Sequence, residues 1–356
     1  MQALIDAATV LTGEGFARPA WRDLQAEGAP APAAAGEEDE AEPGEWAHGW
    51  QFYASRARED HAAARFVETL NPSMLAKYYS QTGVAAAAWL DVVPNTRAMV
   101  IPSNLFVIGL RLRAFMSLPL HERRCPALAC ISILDEFGVH LLACPLTGRK
   151  RRRCMPLEMA WVQVAKEAGG RAKHNFPIGR IGVPDIAEDD QRRVDGVVWG
   201  MNIFRGVPIV MDATIRAPLT GAGLPAHGAD RNTGGVFAQA RKDKESVYSE
   251  IHQTDQAKFL TLACETGGRW SPECIALVRA LVAHKSEQAP PALRASAKQV
   301  WARRFWGLLS VAAMKGITQS LEGFTEVDDS GAFSVQPSPE ELLAGVDVPP
   351  AESRVA

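Results

Sequence analysis

"RVDGVVWGMNIFRGVPIVMDATI", residues 193–215, holds two aspartates inside runs that otherwise read as buried β-strand. An ionised carboxylate taken out of water has to be paired or has to hold a metal. Fold the stretch as an antiparallel hairpin with its loop near GMNIFRG, and residues whose numbers sum to 407 face each other: Asp195 opposes Asp212, Val197 opposes Val210, and Trp199 opposes Pro208. Opposed residues share one face of the sheet, with Cβ atoms about 5 Å apart. Two like charges that close repel unless a cation lies between them or one is protonated. One or two carboxylates with water completing the shell is how Mg²⁺, or Mn²⁺ in its place, is commonly held, so the pair predicts a divalent metal site at Asp195 and Asp212. The competing reading has one aspartate capping a strand end or pairing with Arg192, Arg193 or Arg216, all close in sequence.

Around this hairpin the chain of 356 residues, 47% hydrophobic, is long enough for one sizeable core. Its net charge of −3 hides an asymmetry: residues 111–320 carry 30 Lys and Arg against 19 Asp and Glu, leaving 8 against 22 for the two ends. A basic middle between acidic ends suits a phosphate-bearing partner, because each neutralised phosphate releases a counterion; a solvated surface of fluctuating charge is the plainer reading. No apolar run approaches bilayer length and the first residues lack the basic and small-residue pattern of a signal peptide, so we expect an intracellular protein with no membrane partner. Six cysteines do not make a disulfide framework at this length.

Residues 1–45 are expected to form a disordered, acidic N-terminal segment, with Pro, Ala and acid mixed without period over 27–45, and the acidic, Pro- and Ser-rich tail 321–356 to be disordered likewise. Residues 46–120 read as an all-helical module. Residues 121–154 carry Cys125-x4-Cys130-x9-His140-x3-Cys144, three thiolates and one imidazole that satisfy tetrahedral zinc in a closed, structural site; small buried cysteines are the alternative, and Cys154 is a substitute ligand. "PLEMAWVQVAKEAGG" places Pro156 in a first turn and apolar residues at 157, 160, 161, 164 and 168 before a Gly-Gly stop, which predicts an amphipathic helix. The hairpin strands follow, then helix "GGVFAQARKDKESVYSEIHQ", strand "KFLTLACET", helix "SPECIALVRALVAHK" and a last helix near 292–320 with Trp301, Phe305, Trp306 and Leu309 at helical spacing. That order predicts an α/β core over 155–320, a mixed sheet flanked by helices with at least one crossover, preceded by the helical module.

Taken together, "RRVDGVVW", "GVPIVMDATIRAPL", "KDKESVY" and "FLTLACETGGRWSPE" resemble the restriction-like endonuclease domain at the C-terminal end of LINE-like (non-LTR) retrotransposon reverse transcriptases, a branch of the PD-(D/E)XK nuclease superfamily. Upstream, "GVAAAAWLDVVPNTRAMVIPSNLFVIGLRLRAFMSLPL" is similar to the helical region that follows the polymerase palm in those proteins. Cys125, Cys130, His140 and Cys144 resemble their zinc-knuckle-like cluster, and "RRFWGLLSVAAMKGI" their closing helix. Colinear coverage runs from about 72 to 320.

The resemblance implies an α+β restriction-endonuclease-like core, metal aspartates at Asp195 and Asp212, a helix-borne acid at Glu158, and an "ET-G-G" segment at Glu265, Thr266, Gly267 and Gly268. The superfamily's lysine commonly lies two residues after the second acid, where this chain has Thr214; some members supply it from the next helix, which makes Lys242 and Lys244 the candidates. For Glu158 itself, an acid in a first turn is also what a helix dipole favours, and a solvated helix face suits the lysines.

Arg149, Lys150, Arg151, Arg152 and Arg153, just before Glu158, suit phosphate contact or nuclear targeting, and a solvated basic loop equally. None of Tyr53, Tyr78, Tyr79 and Tyr248 begins a Y-x-D-D motif, so no reverse transcriptase site is expected in this chain. Three functions therefore compete: a metal-dependent DNA endonuclease of retrotransposon origin, nuclear if the source is eukaryotic; an inactive module binding DNA or RNA, as Thr214 in the lysine's place suggests; and a zinc-stabilised interaction protein.

Overall fold

The computed structural model describes residues 58–118, 120, 124–184 and 186–322. The expected disordered segment at 1–45 and all of the acidic tail beyond residue 322 lie outside the described residues, as does the start of the helical module. The chain divides into two compact units after Leu70. Of the first, residues 58–69 form a helix.

The second unit opens with helix α1 (Pro72–Ser80), started by Asn71, whose side-chain oxygen accepts from the Met74 N–H at 2.9 Å, and by Pro72 in the first turn. Two 3₁₀ turns and helix α2 (Ser103–Arg113) complete this region, so the alanine run "AAAAW" makes turns where its composition predicts α-helix. Short helices α3 (Val139–Ala143) and α4 (Arg149–Arg152) lead into α5 (Met155–Glu167). In α5 the stripe read from the sequence is the buried one: Leu157, Ala160, Trp161, Val164 and Ala168 are all shielded. Gly169, at φ +108°, ends the helix in a conformation that only glycine adopts without strain.

Four strands follow: β1 (Arg171–Pro177), β2 (Arg193–Trp199), β3 (Ile209–Arg216) and β4 (Lys258–Glu265), in sheet order β1-β2-β3-β4. The first three run antiparallel; β4 is parallel to β3 and is reached by a crossover through α6 (Gly235–Val247) and α7 (Ser249–Gln253). The mixed sheet with flanking helices is the expected α/β class. The β2–β3 register is Gly196↔Met211, Val197↔Val210 and Val198↔Ile209, each pair summing to 407 as the hydrophobic pattern requires. β1 is an element that sequence periodicity misses: RAKHNFP is half polar, as befits an edge strand.

One face of the sheet packs on α5, α8 (Pro272–Glu287) and α9 (Arg294–Gln319) through Val198, Met211, Leu260 and Leu262. Phe305 and Leu309 of α9 are completely buried there, Trp301 and Trp306 partly, and Trp270 packs edge-on to Trp161 and tilted against Trp306, at centroid distances of 6.3 and 5.5 Å. The other face carries Val197, Val210 and Phe259 under Tyr248 and Ile251. No helix among the described residues is long and apolar enough to cross a membrane.

Candidate functional site

Asp195 and Asp212 lie on the face of Val197 and Val210, where the ladder between β2 and β3 opens. Paired backbone ends at Gly196 and Met211; one residue further, the Asp195 carboxylate takes over, accepting from the Ala213 N–H at 2.7 Å. Asp212 is 3% exposed and its Oδ1 lies 2.5 Å from Lys244 Nζ, delivered by α6. Between the two candidate lysines the fold therefore chooses Lys244. Lys242 is exposed on the same helix and does not line the cleft, because residues two apart point about 200° apart around a helix axis.

These residues floor a cleft of about 930 Å³ whose walls include Arg151, Glu158, His174, Arg193, Thr214, His227 and Tyr248. Glu158 reaches it from the first turn of α5 and accepts from His174 Nε2 at 3.1 Å. Three carboxylates thus line one cleft, and Asp195 feels the others: burial first, then repulsion from Asp212 and Glu158, pushes it up to about 8, against the opposing pull of the Ala213 N–H and Lys244. A divalent cation would relieve that excess of negative charge, and all three donors are the hard oxygens it prefers, so the residues fit one. Thr214, two residues after Asp212, lines the cleft and is 9% exposed.

His174 and Tyr248 escaped sequence reading. His174 sits on the strand that went unseen. Tyr248, which donates to the Arg193 carbonyl at 2.7 Å, caps the end of α6, its N–H bonded to the Lys244 carbonyl one turn earlier. Burial drives its hydroxyl well above the usual phenol range, with Asp212 adding to the rise.

The basic run 149–153 does not act as a unit. Arg153 is 3% exposed and donates to the carbonyls of Leu142 at 2.6 Å and Ile215 at 2.5 Å, which makes it a brace; desolvation lowers it to about 10. Arg149 donates to the carbonyls of Ser320 and Glu322 at the end of α9. Arg151 and Arg152 are exposed, and Arg151 lines the cleft. Lys150 belongs to α4.

Beside the cleft, Cys125, Cys130, His140 and Cys144 bring their ligand atoms within 4.8 Å of one another, a Cys3His cluster that could bind a metal such as zinc. Cys130 Sγ is 3.4 Å from His140 Nε2 and Cys125 Sγ 3.9 Å from Cys144 Sγ. The other ring nitrogen, Nδ1, donates to the Gly221 carbonyl at 3.1 Å, which fixes the tautomer that leaves Nε2 as the donor atom for a metal. Asp135 orders the approach by accepting from the N–H groups of Phe137, Val139 and His140. Hydrogen bonds from Ser132 pull the Cys130 thiol down to about 6, whereas burial pushes the Cys125 thiol up to about 11. Cys154 lies outside this cluster and lines the cleft.

Glu265, in contrast, is away from the cleft: it ends β4, is 1% exposed, and its Oε1 has no hydrogen-bond partner among the described residues. The turn that follows clasps α1, with the Gly267 N–H donating to Ser80 Oγ at 2.8 Å and Arg269 Nε to the Tyr79 carbonyl at 2.7 Å. Burial raises Glu265 to about 7, opposed by Arg269. A carboxyl raised in the folded state costs stability as pH climbs from its unfolded value, about 4.5, to its folded one. We expect Glu265→Gln to be near neutral at pH 5 and to stabilise by about 3 kcal/mol above pH 7. Urea midpoints of both proteins across that range check this; parallel curves would refute it.

No known family model, no curated protein and no solved structure matches the chain.

Proposed function

We propose that the chain is a metal-dependent endonuclease that hydrolyses phosphodiester bonds in DNA, built on a restriction-endonuclease-like core of retrotransposon type. The observation that carries the proposal is that Asp195, Asp212, Glu158 and Lys244 line one cleft, with Lys244 against Asp212. Supplying the lysine from α6 answers the objection raised by Thr214.

Asp195, Asp212 and Glu158 would hold Mg²⁺ or Mn²⁺, which when bound supplies a water of lowered pKa and a Lewis acid for the phosphoryl oxygen. Lys244, already against Asp212, is placed to orient that water and to offset charge growing on the phosphate. The attacking water gives up a proton to solvent as its oxygen forms a bond to phosphorus and the bond to the departing sugar oxygen breaks, and that sugar oxygen leaves with a proton from solvent.

Relaxation of supercoiled plasmid in Mg²⁺ or Mn²⁺, absent with chelator, tests the reading. Salt-dependent DNA binding without metal-dependent cutting would favour instead an inactive nucleic-acid-binding module.

Of the basic run, Arg151 is the side chain placed to meet the backbone of a bound strand. Arg151→Ala should lower the slope of log K against log salt by about 1 and weaken binding uniformly across sequences. Fluorescence anisotropy at several ionic strengths measures it, and an unchanged slope would remove Arg151 from the interface.

A further inference from the structure

The edge strand β1 breaks its own ladder opposite the acid pair. Its pairing with β2 runs Lys173↔Val197, His174↔Gly196, then Phe176↔Val194, and skips Asn175, the residue that would face Asp195. Asn175 adopts φ +51°, a left-handed conformation rare for any residue but glycine and most tolerated by Asn and Asp. It is held there by Arg193, whose Nε donates to Asn175 Oδ1 at 2.8 Å and whose Nη2 donates to the Asn175 carbonyl. Arg193 is itself fixed by Tyr248, which donates to its carbonyl. A strained residue clamped from two sides beside a charged cleft calls for a reason, because such strain persists where the surroundings over-determine it.

The reason lies one residue earlier. His174 enters the cleft wall, and its Nε2 donates to Glu158 Oε2 at 3.1 Å. One oxygen of Glu158 is thereby held while the carboxylate still acts on Asp195 by repulsion. Glu158 is on a different element from both aspartates, at the start of α5, and has three side-chain torsions to fix. Carboxylates that ligate metals are commonly held by just such an outer hydrogen bond, and losing it typically weakens metal binding 10- to 100-fold.

We propose that His174 is a positioning residue: it fixes Glu158 as the third carboxylate of the metal site, and the kink at Asn175 exists to aim it. The inference rests on the nuclease reading of the cleft but concerns ion uptake, not cutting.

Mn²⁺ binding by the full, zinc-replete chain, followed by electron paramagnetic resonance, tests it. His174→Phe, which keeps ring volume at a side chain 29% exposed but removes the donor, should raise the Mn²⁺ Kd about 10-fold or more. His174→Gln, which restores an N–H at similar reach, should recover most of the affinity. Asn175→Val, which cannot hold the left-handed turn, should weaken binding in the same direction. In a Glu158→Gln background, His174→Phe should change nothing further, since its effect passes through Glu158. Melting and zinc content confirm folding, and His174→Ala replaces the phenylalanine variant if that one does not fold. Wild-type affinity in both donor-less variants, or an equal loss in the Glu158→Gln background, overturns the proposal while leaving the nuclease reading standing. No Mn²⁺ uptake by the wild-type chain overturns both.

Discussion

Asp212→Ala is expected to abolish metal-dependent plasmid nicking, a fall of at least about 10³-fold or roughly 4 kcal/mol of transition-state stabilisation. Two losses combine. The buried carboxylate is one of two that meet across the β2–β3 hairpin, and it is also the partner that holds Lys244 at 2.5 Å. On the proposed reading, removing it takes away a metal ligand and releases the lysine. Lys244→Ala should cost less, about 10²- to 10³-fold, because the ligands remain. Lys242→Ala, exposed and off the cleft, should leave the rate unchanged. The comparison is internal: cutting unaltered in Asp212→Ala would detach the activity from this cleft, whereas equal losses in both lysine variants would show that the helix, and not one ammonium, matters.

If the Cys3His cluster holds zinc, withdrawing it is expected to be the most destabilising single change. Structural zinc in small domains contributes about 10 kcal/mol or more of apparent binding energy, comparable with the whole stability of an ordinary domain. Here the cluster region is tied to β3 and the turn that follows it: His140 Nδ1 donates to the Gly221 carbonyl in that turn, and Arg153 joins the carbonyls of Leu142 and, on β3, Ile215. Cys144, 2% exposed, has no water to receive a replacement side chain. Chelation, or Cys144→Ser, should therefore lose hydrogen-exchange protection across residues 124–148, lower the melting temperature steeply, and remove nicking although no ligand of the cluster touches the cleft floor. Elemental analysis of purified protein comes first. Zinc near zero in a stable, folded preparation would reduce the four residues to small buried groups.

The hairpin was legible because its pattern is constrained twice, once by alternation and once by a turn of fixed length. A slip of one residue would have put Val197 and Val210, both fully buried, in water. The stripe of α5 was legible for the same reason. β1 was not, since an edge strand with one wet side needs few apolar residues, and with it His174 and the turn at Asn175 stayed hidden. The choice of lysine was open on charge alone, yet the signal existed: Val236 and Ala240 are buried at intervals of four, and the same interval continues to Lys244 and Tyr248. The basic run misleads because composition cannot tell a guanidinium that braces two carbonyls from one that faces solvent; Arg153 and Arg151 differ only in where the backbone leaves them.

The parallel pairing of β3 with β4 joins residues about fifty positions apart, whereas β2 and β3 meet across a short turn. Local closure is entropically cheap and distant closure is slow, so a chain emerging from the ribosome brings its two acids together well before α6 can be pinned over them by β4. On the proposed reading, the nascent protein gathers its two aspartates before its lysine helix is pinned, and a product truncated before residue 258 would lack the strand that pins that helix.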